Sequence, residues 1–112
     1  MRDMVLRNSE SAMEHASFVD MALAELLAVG VVRHTSVRPA VVSPLGVVPK
    51  PNSKDKFRLI VNMRYVNQAI VVPKFRMETL SSLADLLKSQ DFMVSFDLKS
   101  GFWHIPLGPE AQ

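Results

Sequence analysis

A polar turn cluster between two apolar arms is the feature that most constrains the fold of this chain. The cluster, Pro51-Asn52-Ser53-Lys54-Asp55, separates residues 47–50 from residues 56–63. Such a cluster between β-prone runs is typical of a hairpin. In the second arm apolar and polar residues alternate, which directs successive side chains to opposite faces of a strand. We therefore predict a β-hairpin with one apolar face and one basic face.

The length of the turn predicts which residues of the hairpin lie opposite each other. A loop of five residues sets Lys50 opposite Lys56 and diagonal to Arg58. Like charges facing each other across strands destabilise a hairpin by roughly 0.2–1 kcal/mol a pair. Two interpretations follow: an anion normally binds at this face, or the three long side chains simply extend into water.

Basic residues are concentrated around the same hairpin. Residues 50–76 carry seven Lys and Arg against one Asp, whereas residues 1–49 carry four against five acids and residues 77–112 carry two against five. A basic segment of this kind is either a solvated face or a contact surface for phosphates or nucleic acid.

Two segments have the apolar periodicity of helices. One runs from about residue 15 to residue 29 and is followed by Gly30, which favours a helix end. The other opens at Thr79 or just before it. The apolar residues that carry the two patterns are Val19, Leu23, Leu26 and Leu27 in the first helix and Leu80, Leu83, Ala84 and Leu87 in the second.

Prolines limit the strands that precede the hairpin. Val41–Val42 and residues 46–48 are apolar, but they lie between Pro39, Pro44 and Pro49. Proline cannot donate to a sheet ladder, so these segments predict short edge strands or extended loop. With the helices, they indicate the α+β class.

Composition excludes several classes of protein. The chain has no Cys, which rules out disulfides, thiol catalysis and Cys-based zinc sites. A hydrophobic fraction of 48% with 21% charged residues is that of a globular protein. We see neither a secretory signal nor a membrane span, so we expect a soluble protein of the cytoplasm or nucleus that is not secreted and contacts no membrane.

Asp97 is the candidate for chemistry. Residues 92–98 predict a strand that ends near this carboxylate, and Gly101 follows in a turn. A carboxylate at the end of a buried strand is a common ligand of a metal ion. A turn-forming or helix-capping Asp would give the same pattern, and the residues alone leave both interpretations open.

Several ordered blocks of the sequence resemble the reverse transcriptases of retroelements. The segment Ser95-Phe96-Asp97-Leu98-Lys99-Ser100-Gly101-Phe102 resembles motif A of that family, in which an apolar strand ends in the first catalytic Asp and an aromatic residue follows. Upstream, residues 43–50 with Phe57-Arg58-Leu59-Ile60-Val61-Asn62-Met63-Arg64-Tyr65-Val66-Asn67 resemble the fingers hairpin. The similarity runs from about residue 14 to residue 107 and looks closest to DIRS-like elements, with the gypsy type next.

The resemblance implies roles for individual residues. Asp97 matches the carboxylate that binds two Mg²⁺ ions, and the carbonyl of Leu98 matches the oxygen that helps to hold the nucleotide-bound ion. Phe102 matches the aromatic residue beside the sugar 2′ position. Lys50 and Arg58 match the pair that grips the triphosphate of the incoming deoxynucleotide.

Two further positions match the template side, and a third position departs from the family pattern. Arg64 and Asn67 match residues near the template strand, by a weaker correspondence. Asn62 departs from the Asp that many relatives have there, which puts a local salt bridge in doubt.

The resemblance also implies an architecture and an activity. Residues 14–112 would form an incomplete right-hand polymerase fold, made of the fingers hairpin, helices and the first palm strand, after a loose lead-in over residues 1–13. The family transfers deoxynucleotides to a primer 3′-hydroxyl on a primer–template by two-metal catalysis. Its Tyr-x-Asp-Asp sequence does not occur in these 112 residues, so we expect the chain alone to be inactive and to bind Mg²⁺ weakly at most.

Two other expectations concern partners. The palm and thumb of the polymerase would be missing partners, and the open apolar edge of the 92–98 strand predicts self-association. The alternative function is that of a non-catalytic remnant of a transposable element that binds nucleic acid or protein.

Overall fold

A computed structural model describes residues 3–109 of the chain. It divides the chain into two compact units, Met1–Val71 and Val72–Gln112. Short helices and two-stranded sheets are mixed along the described residues, as expected for the α+β class. Residues 1–2 of the predicted lead-in lie outside the described residues. Residues 110–112, the end of the predicted polymerase segment, also lie outside them.

The first unit contains four strands and three helices. In chain order these are β1 (Met4–Val5), α1 (Glu10–Glu14), α2 (Ala16–Ala28), β2 (Val41–Val42), β3 (Leu45–Pro49), β4 (Phe57–Val61) and α3 (Arg64–Asn67). The strands form two separate pairs, β1 with β2 in parallel and β3 with β4 antiparallel.

The β3–β4 pair is the predicted hairpin, and its register is the predicted one. Val48 lies opposite Arg58, and Pro49 lies opposite Phe57. The next residues continue the ladder, because the Lys50 amide donates to the Lys56 carbonyl at 2.7 Å. The loop therefore holds five residues, as the polar turn cluster predicted.

The α2 helix confirms the first helical pattern, and Gly30 ends it as predicted. Gly30 has a φ of +76°, a left-handed conformation that costs glycine little and other residues more. Its amide donates to the Leu27 carbonyl at 3.1 Å, and the Val31 amide donates to the Leu26 carbonyl at 2.9 Å. These bonds satisfy carbonyls that the helix leaves without an internal donor.

A small core joins α1, α2 and the inner face of the hairpin. Its buried members are Ala12, Val19 and Val47, and Phe18, Leu23, Leu45, Phe57 and Leu59 pack against them half-buried. Phe57 also contacts the rings of His15 and Phe18, at centroid distances of 4.4 and 5.7 Å. The period-two pattern of β4 thus places Phe57 and Leu59 inward, while Arg58 on the other face is exposed.

The segment before α1 differs from the loose lead-in predicted for residues 1–13. In its described part, β1 pairs with β2, with Met4 opposite Val41 and Val5 opposite Val42. A two-residue strand paired with a distant partner has no sequence periodicity, so nothing in the local pattern predicts it.

Residues 8–11 cover the edge of β3 that faces away from β4. The Leu45 amide donates to Asn8 Oδ1 at 2.9 Å, and the Ser9 amide donates to the Leu45 carbonyl at 2.9 Å. The Val47 amide donates to Ser11 Oγ at 3.1 Å. Amides of alternate residues in an antiparallel strand point away from the partner strand, and side chains of this segment satisfy two of them.

The second unit contains α4 (Leu80–Leu86) and a 3₁₀ helix (Gly101–His104). The α4 helix begins directly after Thr79, close to the predicted start. Thr79 caps it, since its Oγ accepts a hydrogen bond from the Ser82 amide at 3.4 Å. The apolar side chains of α4 remain largely exposed, with Leu80 and Leu86 more open than Leu83.

The predicted strand over residues 92–98 is not present among the described residues. The segment has no regular secondary structure and no neighbouring strand pairs with it. Its apolar side chains are exposed, with Val94 at 87%. A β-strand needs a partner for its backbone hydrogen bonds, and an apolar pattern does not supply one. None of the helices in residues 3–109 has the length and apolar composition needed to cross a bilayer.

Candidate functional site

The basic face of the hairpin is the first candidate site, and we define it as Lys50, Lys56 and Arg58. Lys50 and Lys56 lie directly opposite each other at the end of the ladder, and Arg58 lies two residues further along β4, opposite Val48. Side chains two apart on a strand point to the same face. All three cations are exposed, so the hairpin presents them together to solvent.

This face has the chemistry of an anion site. Within residues 3–109, none of the three cations forms an ion pair with a carboxylate. A guanidinium can hold two phosphate oxygens at once, and an ammonium adds a compact charge beside it. The five-residue turn leaves Lys50 and Lys56 facing each other despite their repulsion, which an oligophosphate between them would relieve.

The second candidate site surrounds Asp97 in the other unit. Lys50, Arg58, Arg64 and Asn67 belong to the first unit, whereas Asp97, Leu98 and Phe102 belong to the second. Asp97, Leu98 and Phe102 are all exposed. These three residues belong to one short segment, on either side of a tight turn.

Ser100 rather than Gly101 makes that turn. Ser100 has a φ of +57° and a ψ of 44°, in the left-handed region, whereas a side chain at Gly101 would meet only Leu98 Cβ at 3.7 Å. The Trp103 amide then donates to the Ser100 carbonyl at 2.9 Å, and His104 Nε2 donates to the Lys99 carbonyl at 3.0 Å. The sequence pattern assigned the turn to Gly101, but the left-handed residue lies one position earlier, at Ser100.

The residues around Asp97 fit a metal ion in donor type but not in number. A carboxylate and a backbone carbonyl are hard oxygen ligands of the kind that Mg²⁺ prefers. Among the described residues, however, no group of three or more acidic or imidazole side chains is placed to hold an ion. Asp97 and the Leu98 carbonyl alone are too few oxygens for a metal site, and we assign no catalytic step to Asp97 within this chain.

Arg64 and Asn67 line an open groove of the first unit. The groove has a volume of about 710 Å³ and runs along one side of the hairpin and the start of α3. Its lining residues are Arg7, Ser9, Ser11, Pro44, Leu45, Gly46, Ile60, Val61, Asn62, Met63, Arg64 and Asn67. The two residues that the resemblance places near a template strand therefore share one surface.

Sequence reasoning missed Arg7 as a member of this groove. Arg7 lies in the segment between β1 and α1, which the polar and aperiodic sequence does not connect with the hairpin. The asparagine and serines that follow it are common at helix starts, and Ser9 does cap α1 by accepting from the Ala12 amide at 3.3 Å. That cap was a readable signal that the lead-in is structured, although it does not predict where the segment docks.

Comparison with known proteins gives a consistent set of relatives. The enzymatic polyprotein of Figwort mosaic virus (strain DxS) is 36% identical over 59 residues, which are 53% of this chain and 9% of that protein. The retrovirus-related Pol polyprotein from transposon 412 of Drosophila melanogaster is 38% identical over 69 residues, 58% of this chain and 6% of that protein. Protein P of Hepatitis B virus genotype D (subtype ayw) is 36% identical over 64 residues, 54% of this chain and 8% of that protein.

These similarities relate the chain to the polyproteins of retroelements and of viruses, at modest identity and over about half of its length. The chain spans less than a tenth of the length of these relatives. No protein-family model matches the chain, and no solved structure matches it significantly. The finer assignment to a DIRS-like or gypsy-type element stays a prediction.

Proposed function

We propose that this chain is part of a reverse transcriptase, in which the basic face of the hairpin binds the triphosphate of an incoming deoxynucleotide. The observation that carries the proposal is the cross-strand register, which sets Lys50 opposite Lys56 and keeps Arg58 on the same face. A triphosphate carries several negative charges within a few ångströms and would relieve the repulsion among these cations. The relationship to retroelement polyproteins supports this ligand over other oligophosphates.

In the same proposal, the turn at Asp97 would contribute ligands for the metal ions. Asp97 and the Leu98 carbonyl would supply one carboxylate and one neutral oxygen to a two-Mg²⁺ site, in a right-hand polymerase fold of the DIRS-like or gypsy type. Such ions stabilise the attacking and leaving oxygens of nucleotidyl transfer. The exposed Phe102 ring would lie beside the sugar and disfavour a 2′-hydroxyl. Primer–template and deoxynucleoside triphosphate are then the partners, and the cell interior is the place of action.

Triphosphate binding by the intact 112-residue chain tests the proposal. We would titrate a fluorescent deoxynucleoside triphosphate with Mg²⁺ and follow its anisotropy. We expect Arg58→Gln to weaken binding roughly tenfold, because each charged hydrogen bond contributes about 1.5 kcal/mol or more. The affinity of Arg58→Lys should lie between those of the unaltered chain and Arg58→Gln, since an ammonium keeps the charge but cannot form the bidentate contact.

Arg38→Gln is the matched control, because Arg38 is exposed in the same unit and lies outside β3 and β4. Equal affinities for the Arg58→Gln and Arg38→Gln variants would overturn the triphosphate site. Binding of primer–template without any affinity for the triphosphate would instead favour the alternative, a non-catalytic remnant that binds nucleic acid.

A primer-extension assay separates binding from catalysis. With primer–template, deoxynucleoside triphosphates and Mg²⁺, the chain alone should give no extended product, because a two-metal site needs more carboxylates than Asp97 supplies. Extension that depends on the added chain would contradict this expectation.

A further inference from the structure

We infer that Arg7 is a phosphate contact for a single nucleic-acid strand in the groove that also contains Arg64. The inference rests on the proposed function, since it names a further residue that would hold the nucleic-acid partner. It starts from the observation that Arg7 lines this groove together with residues from the end of β4 and the start of α3.

The charge of the groove favours an anionic ligand. Two arginines line it together with hydroxyl and amide side chains, and none of its lining residues is acidic. Neither Arg7 nor Arg64 forms an ion pair within the described part of the chain. Two cations on one concave surface without a carboxylate attract phosphate, and arginine is the residue best suited to hold it.

The backbone around Arg7 is fixed, so the side chain starts from a defined place. On one side of it the Leu6 amide donates to the Val42 carbonyl at 3.1 Å. On the other side Asn8 Oδ1 accepts from the Leu45 amide at 2.9 Å. An arginine held at both neighbours loses less freedom on binding than one in a free terminus.

The floor of the groove suits a strand rather than a free phosphate. Ile60 and Met63 are partly exposed there, at 39% and 41%, and offer apolar contact for sugars and bases between the phosphates. Gly46 leaves space in the groove, because a Cβ at that position would come within 3.0 Å of Ile60 and 3.2 Å of Ser9 Oγ. A positively charged groove that also has apolar side chains offers contacts to both the phosphates and the sugars of a single strand.

Salt-dependent binding tests the role of Arg7. We would measure the anisotropy of a fluorescein-labelled RNA template, annealed to a shorter DNA primer, with the intact chain at several salt concentrations. Loss of one phosphate contact on a single strand lowers the slope of log Kd against log salt by about 0.7, and weakens binding roughly fivefold at about 0.1 M salt. We expect these changes for Arg7→Gln, and a retained slope for Arg7→Lys.

Arg38→Gln again removes one exposed charge from the same unit, outside the groove, and should leave the slope unchanged. Far-UV circular dichroism checks that each variant keeps its fold. If Arg7→Gln changes the slope no more than Arg38→Gln does, the inference about Arg7 is wrong while the proposed function stands. If the unaltered chain binds primer–template with no salt dependence, or not at all, the nucleic-acid partner of the proposed function fails as well.

Discussion

One hydrogen bond of Ser11 joins two distant parts of the first unit. Its Oγ accepts a hydrogen bond from the Val47 amide across 36 positions of sequence, and Val47 is one of the buried core residues, at 5% exposure. The amide points away from β4, so the serine hydroxyl takes the place that a third strand would fill. A small polar side chain thus substitutes for a sheet neighbour.

Replacement of Ser11 by alanine should destabilise the chain. The Val47 amide would lose its acceptor while part-buried, and a buried unsatisfied donor costs about 1–3 kcal/mol. Urea denaturation followed by circular dichroism measures the change in the free energy of unfolding. Ser17→Ala is the control, because Ser17 is exposed on α2 and its loss should change stability by less than about 0.5 kcal/mol. Equal denaturation midpoints for the two variants would mean that water replaces the hydroxyl.

Which single residues could be predicted from the sequence depends on how local their signals are. The facing of Lys50 and Lys56 follows from a loop length and a period of two, both of which are visible in neighbouring residues. The docking of Arg7 and Ser11 depends on hydrogen bonds to residues more than thirty positions away, and no local pattern encodes those. The left-handed Ser100 was missed for another reason, since glycine next to it is the usual choice for that conformation.

At the scale of elements, the hairpin places two like charges where a bound anion would neutralise them. Lys50 and Lys56 face each other at the turn end of the ladder, where like charges weaken cross-strand pairing. An element that carries such a cost gains stability from whatever neutralises it. Its stability and its affinity for an anion should therefore respond in opposite directions to the same substitution.

Lys56→Glu tests this opposition. A glutamate opposite Lys50 should stabilise the hairpin by roughly 0.2–1 kcal/mol, with the lower end favoured because the pair is exposed. The same change should weaken binding of the fluorescent triphosphate, because it places a carboxylate among the phosphates. Urea denaturation and the nucleotide titration measure the two effects.

Lys54→Glu is the comparison, since it makes the same change of charge inside the turn, away from the paired strands. We expect no gain in stability from it. If Lys56→Glu lowers stability more than Lys54→Glu does, the like-charge pair is not the source of strain in this hairpin.

Elements differ in how far their own sequence decides them. The α2 helix and the hairpin are complete within their segments, because a helix satisfies its own backbone and the two arms of a hairpin pair with each other. Residues 92–98 have an equally clear apolar pattern, but a strand also requires a neighbour, and none of the described residues provides one. The strand predicted over 92–98 is therefore wrong, because its apolar pattern does not supply the neighbouring strand.

At the scale of the whole molecule, exposed apolar surface is the dominant property. The core of the first unit has three buried members among the described residues, whereas the second unit leaves Phe92, Phe96 and Phe102 open to solvent. Small cores give marginal stability, and contiguous exposed apolar surface favours association. We therefore expect the chain to be marginally stable and to associate in solution.

We expect the purified chain to self-associate. Its weight-average sedimentation coefficient should rise with concentration, because the exposed apolar segment 92–98 offers unpaired backbone to a second chain. Val94→Lys should shift the distribution toward the monomer by placing a charge in that segment. Val37→Lys is the control, since Val37 is also well exposed, at 75%, but lies outside the segment. A concentration-independent monomer with a sharp cooperative melt would contradict the expectation.

The pairing of β1 with β2 also sets an order of events in folding. The hairpin joins Pro49 to Phe57, whereas the pairing of Met4 with Val41 closes a loop of much greater length. Closing the longer loop costs about 1.4 kcal/mol more in chain entropy, and short hairpins form within microseconds. The hairpin therefore assembles first, and the segment that carries Arg7 joins it last.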